Sequence, residues 1–285
     1  MNSLVSTSPR PALLHEGYAL QLQRVAEFLR APEKHGMSRF TGAREGQDKP
    51  FGYRDGIAVI GVQGCLIDKM GWWGSSWATG YNVLKWQLTE AHEDTEVKGI
   101  ALDIDSYGGP VSACFDFCDF AMEAKAASGK PVAAILTECA YSAGYAVAST
   151  ADTIAVPRTG GVGSIGVVTT HWDLSGMLEK YGEKVTVIPA GKHKADGNPY
   201  GPLPDDVLAR ISAEVEDLRQ LFAATVVRNR AGAPIAPALD QVLATEARTY
   251  SGPAQLAEAV KLGLADAIMA PADAFSAFAE HVNAA

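Results

Sequence analysis

The chain has 285 residues, 47% hydrophobic and 20% charged, enough to bury one full α/β core with appendages. A net charge of −9 and a pI near 5.2 argue against a nucleic-acid-binding surface, and no basic run offsets that balance. No window of about 20 apolar residues occurs, so no membrane span is expected.

Residues 1–50 read as a polar, mixed-charge arm with one helical pattern, Tyr18 to Leu29. Met1 to Arg10 lacks the apolar core of a secretory signal. The core opens with a strand, Ile57 to Val62. A loop from Met70 to Trp77 follows, carrying Trp72, Trp73 and Trp77. Three indoles are not expected to stand free in water; docking on a neighbour, covering a cleft and folding back on the core remain open. Tyr81 to Glu93 reads as a helix. Alternating apolar positions from Ile100 end in the pair Gly108-Gly109, and a helix-like stretch runs from Val111 to Ala127.

Pro131 to Leu136 reads as a buried strand, and Gly144 to Ser149 as the start of a close-packed helix. Further strands are expected at Ile165–Thr170 and Val185–Ile188, with a helix at Leu174–Tyr181 between them. A long helix from Pro204 to Ala231 carries Val207, Leu208, Ile211, Val215, Leu218, Leu221 and Phe222 at core-facing spacing, and its acidic start suits the helix dipole. A Pro/Ala-rich connector spans Ala233–Ala238. Glu246–Gly252 and Gly263–Asp266 then close the domain. The expected organisation is an arm over 1–50, one domain over 51–270 and an Ala-rich C-terminal tail over 271–285, with no internal repeat. Cys65, Cys114, Cys118 and Cys139 form no Cys-x-x-Cys pair, so neither a disulfide framework nor a zinc site is expected. Cys114 and Cys118 lie one helical turn apart and are expected on a buried face with Phe117 and Met122.

Chemistry concentrates in three segments. Ser142 stands at a strand-to-helix junction, where backbone N–H groups lack helical partners and the dipole favours negative charge. A serine placed there needs only a base to become a nucleophile; an ordinary helix cap would look the same. Upstream, Gly108-Gly109 lets bare N–H groups approach a ligand, as the second donor of an oxyanion hole would. Downstream, the loop Pro189–Tyr200 carries Lys192, His193 and Lys194. A lysine serves as a base only when neutral, so its pKa of about 10.4 must fall to about 7–8. Lys192 and Lys194 share a face of an extended chain, and spacing does not choose between them. His171, with Asp173 nearby, offers a rival Ser-His-Asp arrangement, although His171 more simply precedes a helix.

Four segments in order, Ser-Tyr-Gly-Gly-Pro (106–110), Ala-Tyr-Ser-Ala-Gly-Tyr (140–145), Gly-Ser-Ile-Gly-Val (163–167) and Gly-Lys-His-Lys-Ala-Asp-Gly-Asn-Pro-Tyr (191–200), resemble the serine–lysine peptidases related to signal peptide peptidase A. Within them the resemblance is to the phage capsid-maturation branch, the minor capsid protein C type. It spans roughly residues 55–270. It implies Ser142 as nucleophile, Lys194 as general base, Ser164 as the residue that orients the lysine, and Gly109, Gly108 and Ala143 as oxyanion donors. It implies an α/β fold of the Clp-protease/crotonase type, a spiral of ββα units, and a homo-oligomer, in some members a ring whose lysine reaches a neighbour's serine. No cofactor or metal is implied.

The function expected is therefore a serine endopeptidase acting on scaffold, portal or capsid proteins in the host cytoplasm, within an assembling prohead. A bacterial cytosolic peptidase acting on signal peptides or oligopeptides is the alternative within the enzymes. An acyl-CoA enzyme of the crotonase type would need an acidic catalytic residue and a basic phosphate site, and neither stands out. A catalytically silent assembly protein of the same fold is the third class.

Overall fold

The computed structural model describes residues 12–14, 49–70 and 77–284. The helix expected at Tyr18–Leu29 lies outside the described residues, as do Trp72 and Trp73.

A ten-stranded sheet organises the described residues. Its strands are β1 (Ala12–Leu14), β2 (Gly52–Arg54), β3 (Ile57–Ile67), β4 (Ala78–Gly80), β5 (Gly99–Pro110), β6 (Val132–Tyr141), β7 (Thr153–Val156), β8 (Gly161–Gly163), β9 (Thr249–Ser251) and β10 (Ala267–Ile268). The central path runs β10-β7-β6-β5-β3-β2. Its pairings are parallel from β10 to β3, and β2 closes one edge antiparallel. Parallel neighbours need crossovers, and helices supply them. These include α1 (Tyr81–Glu93), α2 (Cys114–Ser128) and α3 (Ala143–Ala148).

The sheet is covered on both faces, which is why its strands read as nearly continuous apolar runs. Ile100, Leu102 and Ile104 of β5 face the main core, with Leu84 and Leu88 of α1 and Phe117 of α2. Ala101, one residue out of phase, faces the other side. There it meets α8 (Pro271–Ala284), through Ala274, Ala279 and Val282. The Ala-rich segment expected as a tail thus forms a helix packed on the sheet. Small alanines let it lie close.

Several strand boundaries fall later than the sequence implies. β3 runs on to Ile67, β6 to Tyr141, and β5 passes through Gly108 and Gly109 to Pro110. The helix expected from Val111 begins at Cys114, after Ala113 adopts φ 64°. Cys114, Phe117 and Cys118 are buried as expected, Met122 is half-buried, and no disulfide forms among the described residues.

The strands expected at 165–170 and 185–188 do not form. Gly163 (φ 107°) and Ser164 (φ 57°) turn the chain off the sheet after β8, and only an isolated bridge at Val168 follows. From there to residue 203 the chain is largely exposed and irregular; its one short helix, α4 (Ser175–Lys180), buries no residue. β-branched residues favour strands only where a pleated surface awaits them, and Val185 and Ile188 meet none. The long helix α5 (Asp205–Asn229) is buried mainly towards its C-terminal end: Phe222, Ala223 and Val226 are buried there and Val207 near its start, whereas Leu208 and Leu221 are exposed.

Beyond α5 come α6 (Leu239–Ala244) and α7 (Pro253–Lys261). Arg230, wholly buried, ties this region to the sheet. It donates to Gly263 O (3.2 Å) and Asp266 Oδ1 (2.6 Å), while Asp266 Oδ2 accepts the Ile154 N–H of β7 (2.7 Å). No helix among the described residues is long and apolar enough to cross a membrane.

Removing one partner of a buried ion pair leaves the other charge uncompensated, so Arg230→Ala should lower unfolding free energy by about 3–5 kcal/mol in denaturant titrations. His92 provides a pH prediction. Its Nδ1 lies 2.7 Å from Ser128 Oγ. Burial, then the charges of Lys130 and Lys125, lower its pKa from 6.5 to about 4. Between those values the unfolded chain holds a proton that the native chain does not. The His92 contribution to stability is therefore complete above pH 6.5 and lost as pH falls through about 4. His92→Gln should flatten this acid limb in melting temperatures measured across that range.

Candidate active site

The site is built where β5 and β6 end. Their register pairs Ser106 with Ala140, so its continuation sets Gly108 and Gly109 beside Ser142. On the other side of β6, β8 pairs Tyr141 with Gly163, and this sets Ser164 beside Ser142. The Ser142 N–H donates to Gly163 O (2.9 Å), and its carbonyl accepts the Ala146 N–H of α3 (2.9 Å). These bonds hold Ser142 at φ 53°, ψ −123°, a conformation that costs a non-glycine residue of order 1–3 kcal/mol. Its hydroxyl is buried and has no hydrogen-bond partner among the described residues.

The chain around it consists of small residues for steric reasons. A Cβ on Gly144 would come within 2.8 Å of Ser106 O, so only glycine lets α3 approach β5 this closely. A Cβ on Gly109 would fall 1.9 Å from Leu66 O. Ser106 stitches the neighbourhood together. It donates to Gly64 O (2.7 Å) and accepts the Gly108 N–H (3.1 Å). Sequence reasoning gives Ser106 no role of its own; the signal was its place two residues before the glycine pair. The Gly108 amide is thus engaged by the Ser106 hydroxyl. Ala143 is the first residue of α3, and its N–H has no acceptor within the helix.

Lys194 sits elsewhere in the chain. Its backbone N–H donates to Gly191 O (3.2 Å), and the residue is exposed, as is Lys192. Lys194 lines a cleft of about 820 Å³ whose walls are residues 167–171, residues 194–199 and the outer face of α5, including Leu208 and Ile211. Ser142 is not among its lining residues. A single chain therefore brings Ser142, Ser164, Gly109 and Ala143 together, and the Ser142 hydroxyl makes no hydrogen bond to Lys194. Nor does the chain assemble a histidine triad. His171 Nε2 is 2.9 Å from Asn198 O, and Asp173 accepts from the Ser175 N–H and hydroxyl at the start of α4. His193 pairs with Asp196 (2.9 Å), which also binds Arg210.

Tyr107 and Tyr141 face each other across the end of the strands, ring centroids 5.6 Å apart. The Cys139 charge, then burial, push the Tyr107 phenol to about 12, so it stays protonated near neutral pH. No cluster of three or more His, Cys, Asp or Glu able to hold a metal occurs among the described residues. One chain thus gathers Ser142, Gly109 and Ala143 at the ends of β5 and β6.

Residues 124–285 match peptidase family S49. The chain belongs to peptidase family S49. The match takes in Ser142, Ser164 and Lys194 and begins after the glycine pair. Among characterised relatives, the chain is 37% identical over 239 residues to capsid assembly protease C of Escherichia phage lambda, covering 84% of this chain and 52% of that protein. It is 34% identical over 230 residues to head-tail preconnector protein GP5 of Enterobacteria phage P21, covering 80% of this chain and 44% of the relative. Protease 4 of Haemophilus influenzae is 29% identical over 174 residues, 61% of this chain and 28% of that protein. The chain thus spans about half the length of the phage relatives it matches. The resemblance read from the four motifs, a serine peptidase family and its phage capsid branch, is borne out.

If Gly109 supplies an oxyanion donor, displacing it should cost about 10²–10³ in rate. Gly109→Ala, whose Cβ must push Leu66 away, should slow fluorophosphonate labelling of Ser142 by that order. The far-ultraviolet circular dichroism should stay that of the parent.

Proposed function

We propose that the chain is a serine endopeptidase that works through a Ser142–Lys194 dyad completed between subunits. One observation carries the reading: a buried, unpartnered serine hydroxyl held at positive φ between a Gly-Gly strand end and a helix start. A strained serine with an idle hydroxyl has no structural purpose that an alanine would not serve better. Ser142 Oγ attacks a peptide carbonyl, and its proton passes to Lys194 Nζ. The tetrahedral oxyanion is received by the N–H groups of Gly109 and Ala143, with Gly108 shaping the turn. Collapse expels the leaving amine, which takes the proton from the Lys194 ammonium. Water then hydrolyses the acyl-enzyme by the same route. Ser164, beside Ser142, orients the lysine.

Delivery of Lys194 by a second copy is supported by the character of residues 165–203. Trp172 (71% exposed), Tyr181 (72%) and Ile188 (87%) stand out from a chain that its own core does not cover. Apolar surface of this kind suits burial against a neighbour. Contact with that neighbour would also strip water from the lysine, and desolvation moves an amine's pKa down, as a base at neutral pH requires.

The fold is proposed to be the Clp-protease/crotonase spiral, with the peptidase unit over 51–270, an arm over 1–50 and the segment 271–285 docked behind it. The substrates proposed are phage scaffold, portal or capsid proteins, cut in the host cytoplasm inside an assembling prohead. The support is the resemblance to the capsid-maturation branch together with the likeness to a capsid assembly protease.

Ser142→Ala and Lys194→Ala should each reduce turnover of an unfolded protein substrate by at least about 10³-fold. Mixing the two inactive proteins under conditions that exchange subunits should restore roughly a quarter of parental activity, the chance of pairing an intact serine with an intact lysine at random. No restoration would place the dyad within one chain. Activity persisting in Lys194→Ala would transfer the base to another residue.

A further inference from the structure

At Gly108, β5 has two edges. One is occupied by β3, through the pair Cys65 and Gly108. The other edge faces β6 only as far as Ser106 opposite Ala140. Beyond that point β6 ends at Tyr141 and the chain turns away through Ser142 into α3, so the edge of Gly108, Gly109 and Pro110 is relinquished next to the serine. The chain fills this edge itself. The three-residue strand β1 pairs antiparallel with it: Leu14 opposite Gly108, Leu13 opposite Gly109, Ala12 opposite Pro110.

We infer that β1 occupies the strand position of a peptide substrate and acts as an intramolecular competitor for it. The inference rests on the peptidase reading above and adds the direction and register of the bound peptide. A vacated strand edge offers main-chain N–H and C=O groups, so it binds extended polypeptide with little regard for side-chain identity. The antiparallel sense fixes how a substrate runs. Its chain travels from Pro110 towards Gly108, so its acyl side lies along the glycine pair. The bond attacked then follows the residue opposite Gly108, the position that Leu14 takes in β1.

The competition is graded by tethering. β1 is joined to β2 through residues 15–51, so it competes with substrate as part of the same molecule, at an effective concentration set by that connection. A ladder of three residues is itself weak, so the strand yields to substrate presented at comparable density. A peptidase guarded in this way is quiet towards dilute cytoplasmic protein and active where substrate is crowded around it.

The test uses the full chain carrying Ala12→Pro and Leu13→Pro together. Adjacent prolines remove two successive N–H donors, so one ladder bond is lost whichever alternation the pair uses. Hydrogen exchange of residues 12–14 and 105–111 is expected to accelerate about tenfold in the variant. Fluorophosphonate labelling of Ser142 and hydrolysis of unfolded casein should rise several-fold. A synthetic peptide of residues 8–14, added in millimolar excess, should return both to parental values. Unchanged exchange would overturn the placement of β1. Faster exchange with unchanged labelling and hydrolysis would overturn the competition. Failure of Ser142 to label in either protein would instead count against the nucleophile, and exchange would then decide the strand's placement independently.

Discussion

Ser142 is held at φ 53° because three neighbours fix its backbone at once, and most of the surrounding architecture follows from that requirement. β6 must deliver it from one direction, Gly163 must take its N–H from a second, and α3 must take its carbonyl from a third. A residue in this conformation relaxes unless its surroundings over-determine it. The surroundings do so by being small and close. Ala143, Gly144, Ala146 and Ala148 let α3 press against the strand ends, and each is buried. The strain is thereby stored at a buried hydroxyl that is not folded into a helix cap.

The same geometry explains what β5 does beyond its ladder. Parallel pairing with β3 and β6 places the strand at the middle of the sheet, where both faces are buried and its path is least free to vary. The glycine pair comes only at its end, after Ser106 has anchored the turn to Gly64. Rigidity upstream and bare backbone downstream are complementary: the first sets position, the second admits a ligand. That one edge of the bare segment is filled by β1 is consistent with a site shaped for extended chain.

The half of the proposed machinery that a single chain lacks is the half with the most exposed apolar surface. Residues 165–203 leave the sheet at Ser164, carry Lys194, and bury little. The N-terminal part of α5 runs beside them across the cleft, where Leu208 is exposed and Val207 alone of the first turn is buried. Both features fit the proposal that the covering surface comes from another molecule. The proposed assembly would then do for Lys194 what the core does for Ser142: remove water and impose a position.

Much of this was legible in the amino-acid order. Alternation along Ile100–Ile104, the apolar run before Ser142 and the small residues after it determined the strands and helix that flank Ser142, because burial on a sheet imposes a period that composition cannot hide. The four motifs also determined the family. Where strands end, however, depended on partners. Tyr141 stays in β6 because Gly163 pairs with it, whereas Val185 and Ile188, equally strand-like in type, have no such partner and stay exposed. The role of Ser106, the docking of the Ala-rich C-terminal segment behind the sheet and the exposure of the loop that carries Lys194 were decided by tertiary structure alone. Local sequence states which conformations a segment tolerates; only packing between distant segments supplies the hydrogen bonds and covered surface that select one.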